Sequence, residues 1–433
     1  MAKGETGRVF FGALESWRGV AALIVAWFHA PFVDGDKLMI VKQGAIFVDF
    51  FFVLSGFVIA HAYLDKIRAG LSFQKFALLR LARLYPLHLF MLAVWVPFVL
   101  VRLGVFEFYG IGADPTERNN VASFSLNLIL LHSMGFLETL TWNGPAWSIS
   151  VEFFTYLMFF LLTWAFRAHA ALVFVLVAVA SLAAIYILAK MGSEHGILFT
   201  TDFGILRCFA SFFTGAALYI GFQSKPWRLA KMPATVLEAI VVFAVVFAVA
   251  RSFNQPEWQL ASIAGFGALI YVFASGGGYI STVMHTRSIR YVGEISYSIY
   301  MVHAIIMIAV SNLCRFILKM DTIYLSGEYP LIQSSFAIPL NISLLVVVTA
   351  ISALVYRWVE VRGKTWIPRF QAALTLSGSL VHTPLHRANQ PPRYPIADSP
   401  SNLLHHPPVS AFKALDPIFC RRSSGVEQLI RNQ

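Results

Sequence analysis

The apolar positions of the chain gather into long continuous runs, at about 15–33, 44–63, 84–103, 147–166, 170–189, 203–222, 234–251, 258–274, 297–318 and 335–357. Short polar stretches separate them. A helix needs roughly 20 apolar residues to cross a hydrocarbon core of about 30 Å. Unbroken runs of that length predict helices, not the alternating segments of a barrel. The expected fold is all-α: a polytopic membrane protein with about ten transmembrane helices in one bundle. One further patch, 121–136, is short and rich in Ser and Asn. It reads as an interfacial or re-entrant segment; if it spanned, the count would become eleven.

Composition sharpens this picture. The chain is 58% hydrophobic and 13% charged, with a mean hydropathy of +0.69. That excludes an ordinary soluble domain of 433 residues. The net charge of +11 would suggest nucleic acid in a soluble protein. Here the cations crowd into alternate short loops: Lys66, Arg68, Lys75, Arg80 and Arg83, then Arg287 and Arg290, then Arg357 and Arg362. The intervening loops hold acids such as Asp34, Asp114, Glu117, Asp202, Glu257 and Asp321. By the positive-inside rule both termini are expected in the cytoplasm, and an eleventh span would invert everything after it. Cys208, Cys314 and Cys420 are far apart and suggest neither a disulfide framework nor a metal site. No cleaved signal peptide is read at the N-terminus, so the first span is expected to stay as an anchor. From about residue 371 the chain turns polar and Pro-rich. Residues 371–433 are expected to form a disordered cytoplasmic tail without function.

Several stretches could carry chemistry. In LESWRGVAALIVAWFH, Arg18 and His29 are eleven residues apart. That is about 16 Å of helix and within about 20° of one face, so a cation sits at the mouth and an imidazole in the interior. Ionisable groups inside a bilayer are costly and default to functional candidates. A neutral imidazole there can act as a general base. In VDFFFVLSGFVI, Asp49 needs a partner or water, and Ser55-Gly56 allows close helix approach. In FALLRLARLYPLHLF, Arg80 and Arg83 share a helical face, and a fork of two guanidiniums suits a phosphate. Pro86 should bend or loosen the start of that helix. In WNGPAWSISVEFFTY, Pro145 fits a first helical turn, and Trp147 suits an interfacial belt. Ser148 and Glu152 lie four apart on one face, with Glu152 expected to pair with a cation or orient a donor. In YVGEISYSIYMVHAI, Ser296, Tyr300 and His303 share a face. Each of these residues also has a plain structural reading as a packing or topology group.

Taken in order, LESWRGVAALIVAWFH, VDFFFVLSGFVI, RLARLYPLHL, NGPAWSISVEFFTY, VGEISYSIYMVH and YRWVEVRGK resemble the acyltransferase-3 family of integral membrane acyltransferases. The resemblance covers about residues 11–366, with Glu15 where the family usually has Asp. It implies a ten-helix core in a bacterial inner membrane. That core would pass an acyl group, usually acetyl, from cytosolic acyl-CoA to a hydroxyl of an envelope or secreted carbohydrate such as exopolysaccharide, O-antigen or an oligosaccharide. The family's basic-residue-x10-His motif falls on Arg18 and His29, and its RxxR motif on Arg80 and Arg83. The expected roles are His29 as general base, with Ser148 and Glu152 beside it in the catalytic cavity. Arg18, Arg80, Arg83, Ser55 and Trp147 would bind the acetyl-CoA donor. No metal and no nucleic acid are expected; membrane lipid is an expected partner, and a homo-oligomer stays open. A transporter, or an assembly partner in polysaccharide export, remains the alternative.

Overall fold

The computed structural model describes residues 11–34, 39–193, 196–224, 229–323 and 331–363. The chain divides into residues 1–367 and 368–433. The second unit, and with it the expected tail 371–433 and Cys420, lies outside the described residues.

The helices are α1 (Gly12–Phe28), α2 (Met39–Lys42), α3 (Phe47–Arg68), α4 (Phe73–Tyr109), α5 (Val121–Leu128), α6 (Trp147–Ala165), α7 (Ala170–Lys190), α8 (Gly204–Ser224), α9 (Lys231–Arg251), α10 (Pro256–Ser275), α11 (Tyr279–Met284), α12 (Arg287–Glu294), α13 (Ser296–Asn312), α14 (Ala337–Val355) and α15 (Val361–Gly363). Among the described residues, nine helical segments are long and apolar enough to cross a membrane. The tenth expected span is α1, whose 17 residues reach about 25 Å. The chain is a multi-pass, all-α membrane protein.

Two boundaries differ from expectation. The patch at 121–136 forms only the eight-residue α5 and then turns. At about 12 Å it cannot cross a bilayer, so the ten-span reading stands. The span expected at 84–103 belongs to a continuous helix of 37 residues that begins at Phe73 and carries Pro86 and Pro97 inside it. Ser72 caps its start by accepting from the Lys75 amide. Arg80 and Arg83 therefore sit inside the helix, about two to three turns past its start, not in a loop before it.

Burial separates the helices into two classes. The spanning segments built on α3, α6, α8 and α10 are 56–67% buried, whereas that beginning with α14 is 17% buried. On α7, α9 and α14 the exposed positions are apolar: Leu172, Val175 and Val179, then Ile240 and Phe243, then Ile342 and Val346. Such a surface suits acyl chains, not water. At the centre α3 packs along α8, with α7 against α8, α9 against α10, and α1 against α12 and α13. The α3–α8 crossing is set by Gly56 and Gly215. A Cβ on either one would run into the backbone carbonyl of Phe212 or Val53 on the facing helix. The Ser55-Gly56 pair is thus a close-approach notch. A small sheet, absent from the expectation, joins β1 (Phe32–Val33), β2 (Thr322–Ile323) and β3 (Leu331–Gln333) in the order β1-β3-β2. Strands of two or three residues leave no readable period. The sheet lies just past the end of α1, and Asn341 of α14 braces it by donating to the Phe32 carbonyl (2.8 Å).

Candidate active site

Helix α1 ends at Phe28, and His29 follows as its C-cap, half-buried. The His29 Nδ1 lies 2.9 Å from the Val25 carbonyl one turn back. A carbonyl only accepts, so Nδ1 carries a proton, and in the neutral ring Nε2 keeps its lone pair. That is the tautomer a general base at Nε2 requires. The ring rests against His303 of α13, with centroids 4.9 Å apart. His303 is fully buried and repeats the arrangement, its Nδ1 3.2 Å from the Ile299 carbonyl. Tyr300, one turn before His303, has its ring 5.9 Å from the imidazole and donates to the Pro145 carbonyl at 2.9 Å. Ser148 donates to the same carbonyl at 3.2 Å. The 3₁₀ turn Gly144–Ala146, opened by Pro145, thus links the start of α6 to the histidine-bearing face of α13.

Glu152 is one turn further along α6. Its Oε1 accepts from Ser55 of α3 (2.6 Å) and from Tyr156 (2.5 Å), and those two hydroxyls are 2.8 Å apart. Arg80 of α4 closes this cluster. It is buried, donates to the Tyr63 hydroxyl (2.5 Å) and lies over the rings of Tyr63 and Tyr156. Its Nε is buried with no hydrogen-bond partner among the described residues.

The third group sits at the end of the bundle where α1, α4 and α13 begin. Arg18 donates to Ser296 (2.9 Å), to Glu15 (2.5 Å) and to the Gly293 carbonyl (3.1 Å). Arg83 pairs with the buried Glu360 and lies over Tyr297, while Ser298 donates to the other oxygen of Glu360. Three successive residues, Ser296 to Ser298, therefore touch both cation systems. The structure places Arg18 and Arg83 around one turn of α13. Arg80 turns instead towards α3 and α6, so the two arginines of RxxR face different partners and do not form one fork. Trp147 differs from its expectation too. It is buried under the Arg207 guanidinium (5.1 Å) and against Phe52, not in an interfacial belt, because α6 starts inside the bundle.

The profile of the acyltransferase-3 family, described as an acyltransferase domain, matches residues 11–357. The chain belongs to the acyltransferase-3 family. "Protein 2 in picA locus" of Rhizobium radiobacter is 36% identical over 157 residues, which is 33% of this chain and 76% of that protein. Acyltransferase MdmB of Streptomyces mycarofaciens is 33% identical over 159 residues, 34% of this chain and 38% of that protein. No solved structure matches significantly.

Two features of this acyltransferase-family chain escaped the sequence. Asp49 finds its partner in Arg207 of α8, whose Nη2 and Nε approach Oδ2 at 2.7 and 3.0 Å, while Ser211 donates to Oδ1. A lone cation in the apolar run ILRCFASFF was the available signal, since an arginine there needs an acid. The second is the stacked pair of His88 and His132, centroids 5.6 Å apart. Their Nε2 atoms donate to the carbonyls of Asn127 and Ala146. Burial, then the neighbouring His88, pushes the His132 imidazole down to about 4. His132 lies in a turn with no period to mark it.

Proposed function

We propose that this protein transfers an acyl group, acetyl in the simplest case, from cytosolic acyl-CoA to a hydroxyl of an envelope or secreted carbohydrate, acting as an O-acyltransferase of a bacterial inner membrane with both termini in the cytoplasm. One observation carries the reading: in a member of an acyltransferase family, His29 presents an Nε2 lone pair fixed by its Nδ1–H bond to Val25. The acceptor hydroxyl gives its proton to His29 Nε2, and its oxygen attacks the thioester carbonyl carbon. The carbon–sulfur bond breaks, and the CoA thiolate takes the proton back from the imidazolium. The products are an ester and free CoA thiol, with His29 returned to its starting form.

The donor's phosphates would be held at the end of the bundle that carries Arg18, Arg80 and Arg83, next to the facing ends of α3 and α4 with Lys66, Arg68 and Lys75. From there an extended thioester arm would run along the Ser55–Glu152–Tyr156 cluster. Ser148 and Trp147 would line the far part of the path. Purified protein incubated with labelled acetyl-CoA and the host's envelope glycan should transfer label. His29→Ala should insert at normal levels and transfer none. Label transfer by that variant at the normal rate would remove His29 from the chemistry. A protein that never consumes acetyl-CoA would return the transport and assembly readings to the front.

A further inference from the structure

His303 is a buried base with no role in the steps above. Its Nδ1–H is committed to the Ile299 carbonyl, so Nε2 is an acceptor. That atom is buried and has no hydrogen-bond partner among the described residues. The ring is 4.9 Å, centroid to centroid, from His29, and Tyr300 stands on its own helix beside it. A buried acceptor left without a donor keeps the full cost of its desolvation. Beside the His29 ring, His303 therefore presents a buried lone pair and no donor. What completes such a site is a ligand that brings donors.

We infer that His303 Nε2 is a second substrate-binding acceptor next to His29, taking a hydrogen bond from an O–H or N–H that a substrate carries close to its reacting atoms. This rests on the function proposed above and adds a specificity element to it. Two sources fit the chemistry. One is a second hydroxyl of the carbohydrate, neighbouring the one that reacts. The other is the amide N–H of the pantetheine arm nearest the thioester. His29 is half-buried and His303 is enclosed, so the reacting group meets the outer ring and its neighbour the inner one. His303 does not exchange protons with substrate; it binds and orients.

Full-length protein labelled with ¹⁵N-histidine separates the sources. His303 is assigned by its disappearance in His303→Gln, and acetyl-CoA and methyl β-glucoside are the two probes. A hydrogen bond to a ring nitrogen's lone pair shifts that ¹⁵N resonance while Nδ1 stays protonated. A shift with acetyl-CoA identifies the amide; a shift with the glycoside identifies the hydroxyl. Steady-state kinetics supply the second reading. His303→Gln, which restores an acceptor, and His303→Phe, which does not, should differ. Losing one hydrogen bond in a buried site is worth about a tenfold rise in KM. That rise should fall on one substrate in His303→Phe, with partial recovery in His303→Gln. A His303 resonance moved by neither probe, or equal losses of kcat in both variants with no change in either KM, would overturn the inference. Wild-type protein that turns over no acetyl-CoA would refute the proposed donor instead, and the glycoside arm would still decide for or against His303.

Discussion

Replacing Arg207 by Met should destabilise the bundle more than removing its whole ion pair does. The Arg207 and Asp49 side chains are 1% and 0% exposed, so neither can turn to water. The guanidinium makes two bonds to Asp49 and one each to the carbonyls of Ala45 (3.0 Å) and Phe199 (3.2 Å). Arg207→Met strands Asp49 with only the Ser211 hydroxyl. Breaking one side of a buried pair costs about 3–5 kcal/mol, because the remaining charge stays desolvated. Asp49→Leu combined with Arg207→Met removes both charges. What remains lost is the pair of carbonyl contacts, about 1–2 kcal/mol. The assay is unfolding in mixed detergent micelles, read by heat or by SDS titration, on wild type, both single variants and the double. The double variant should be about 2 kcal/mol or more above Arg207→Met. A double variant no more stable than that single one would refute the reasoning, and so would a single variant indistinguishable from wild type.

Arg80→Ala and Arg83→Ala should each raise KM for acetyl-CoA about tenfold or more, the worth of a charge-assisted phosphate contact; unchanged donor dependence would sever both from the donor. Gly56→Leu should cost about 3 kcal/mol or more, since the Phe212 carbonyl it would strike is backbone that cannot step aside. Gly104→Ala, with open space around it, should leave thermal stability unchanged or raised. The lowered His132 pKa makes a signed prediction. The unfolded chain binds this proton at the ordinary 6.5 and the folded chain only at about 4, so stability should fall as pH drops from 6.5 to 4 and level off below. The full loss from this group is about 3 kcal/mol. His132→Gln should flatten that limb, and a slope unchanged in the variant would assign it elsewhere.

The spans were legible because apolar length is a one-dimensional property, and so was the notch at Ser55-Gly56. The direction of His29 followed from its phase with Arg18 on one helix. Partners were not legible, since they come from helices far apart in sequence. The need of Asp49 for a cation could be stated, but Arg207 lies 158 positions away. Glu152 was expected near a cation or a donor, and it is two hydroxyls that bond to it directly, with Arg80 one shell behind. The shared face of Arg80 and Arg83 was real as periodicity. What periodicity does not contain is that Tyr63 and Glu360 draw the two guanidiniums apart.

The anchor for each imidazole is the main chain of its own helix. A histidine held in register by a carboxylate can lose that partner to a point mutation. Here no codon change at another site can erase the oxygen of Val25 or Ile299. The protonation pattern of the pair is inherited from helical pitch, so substitutions in the surrounding walls leave it unchanged.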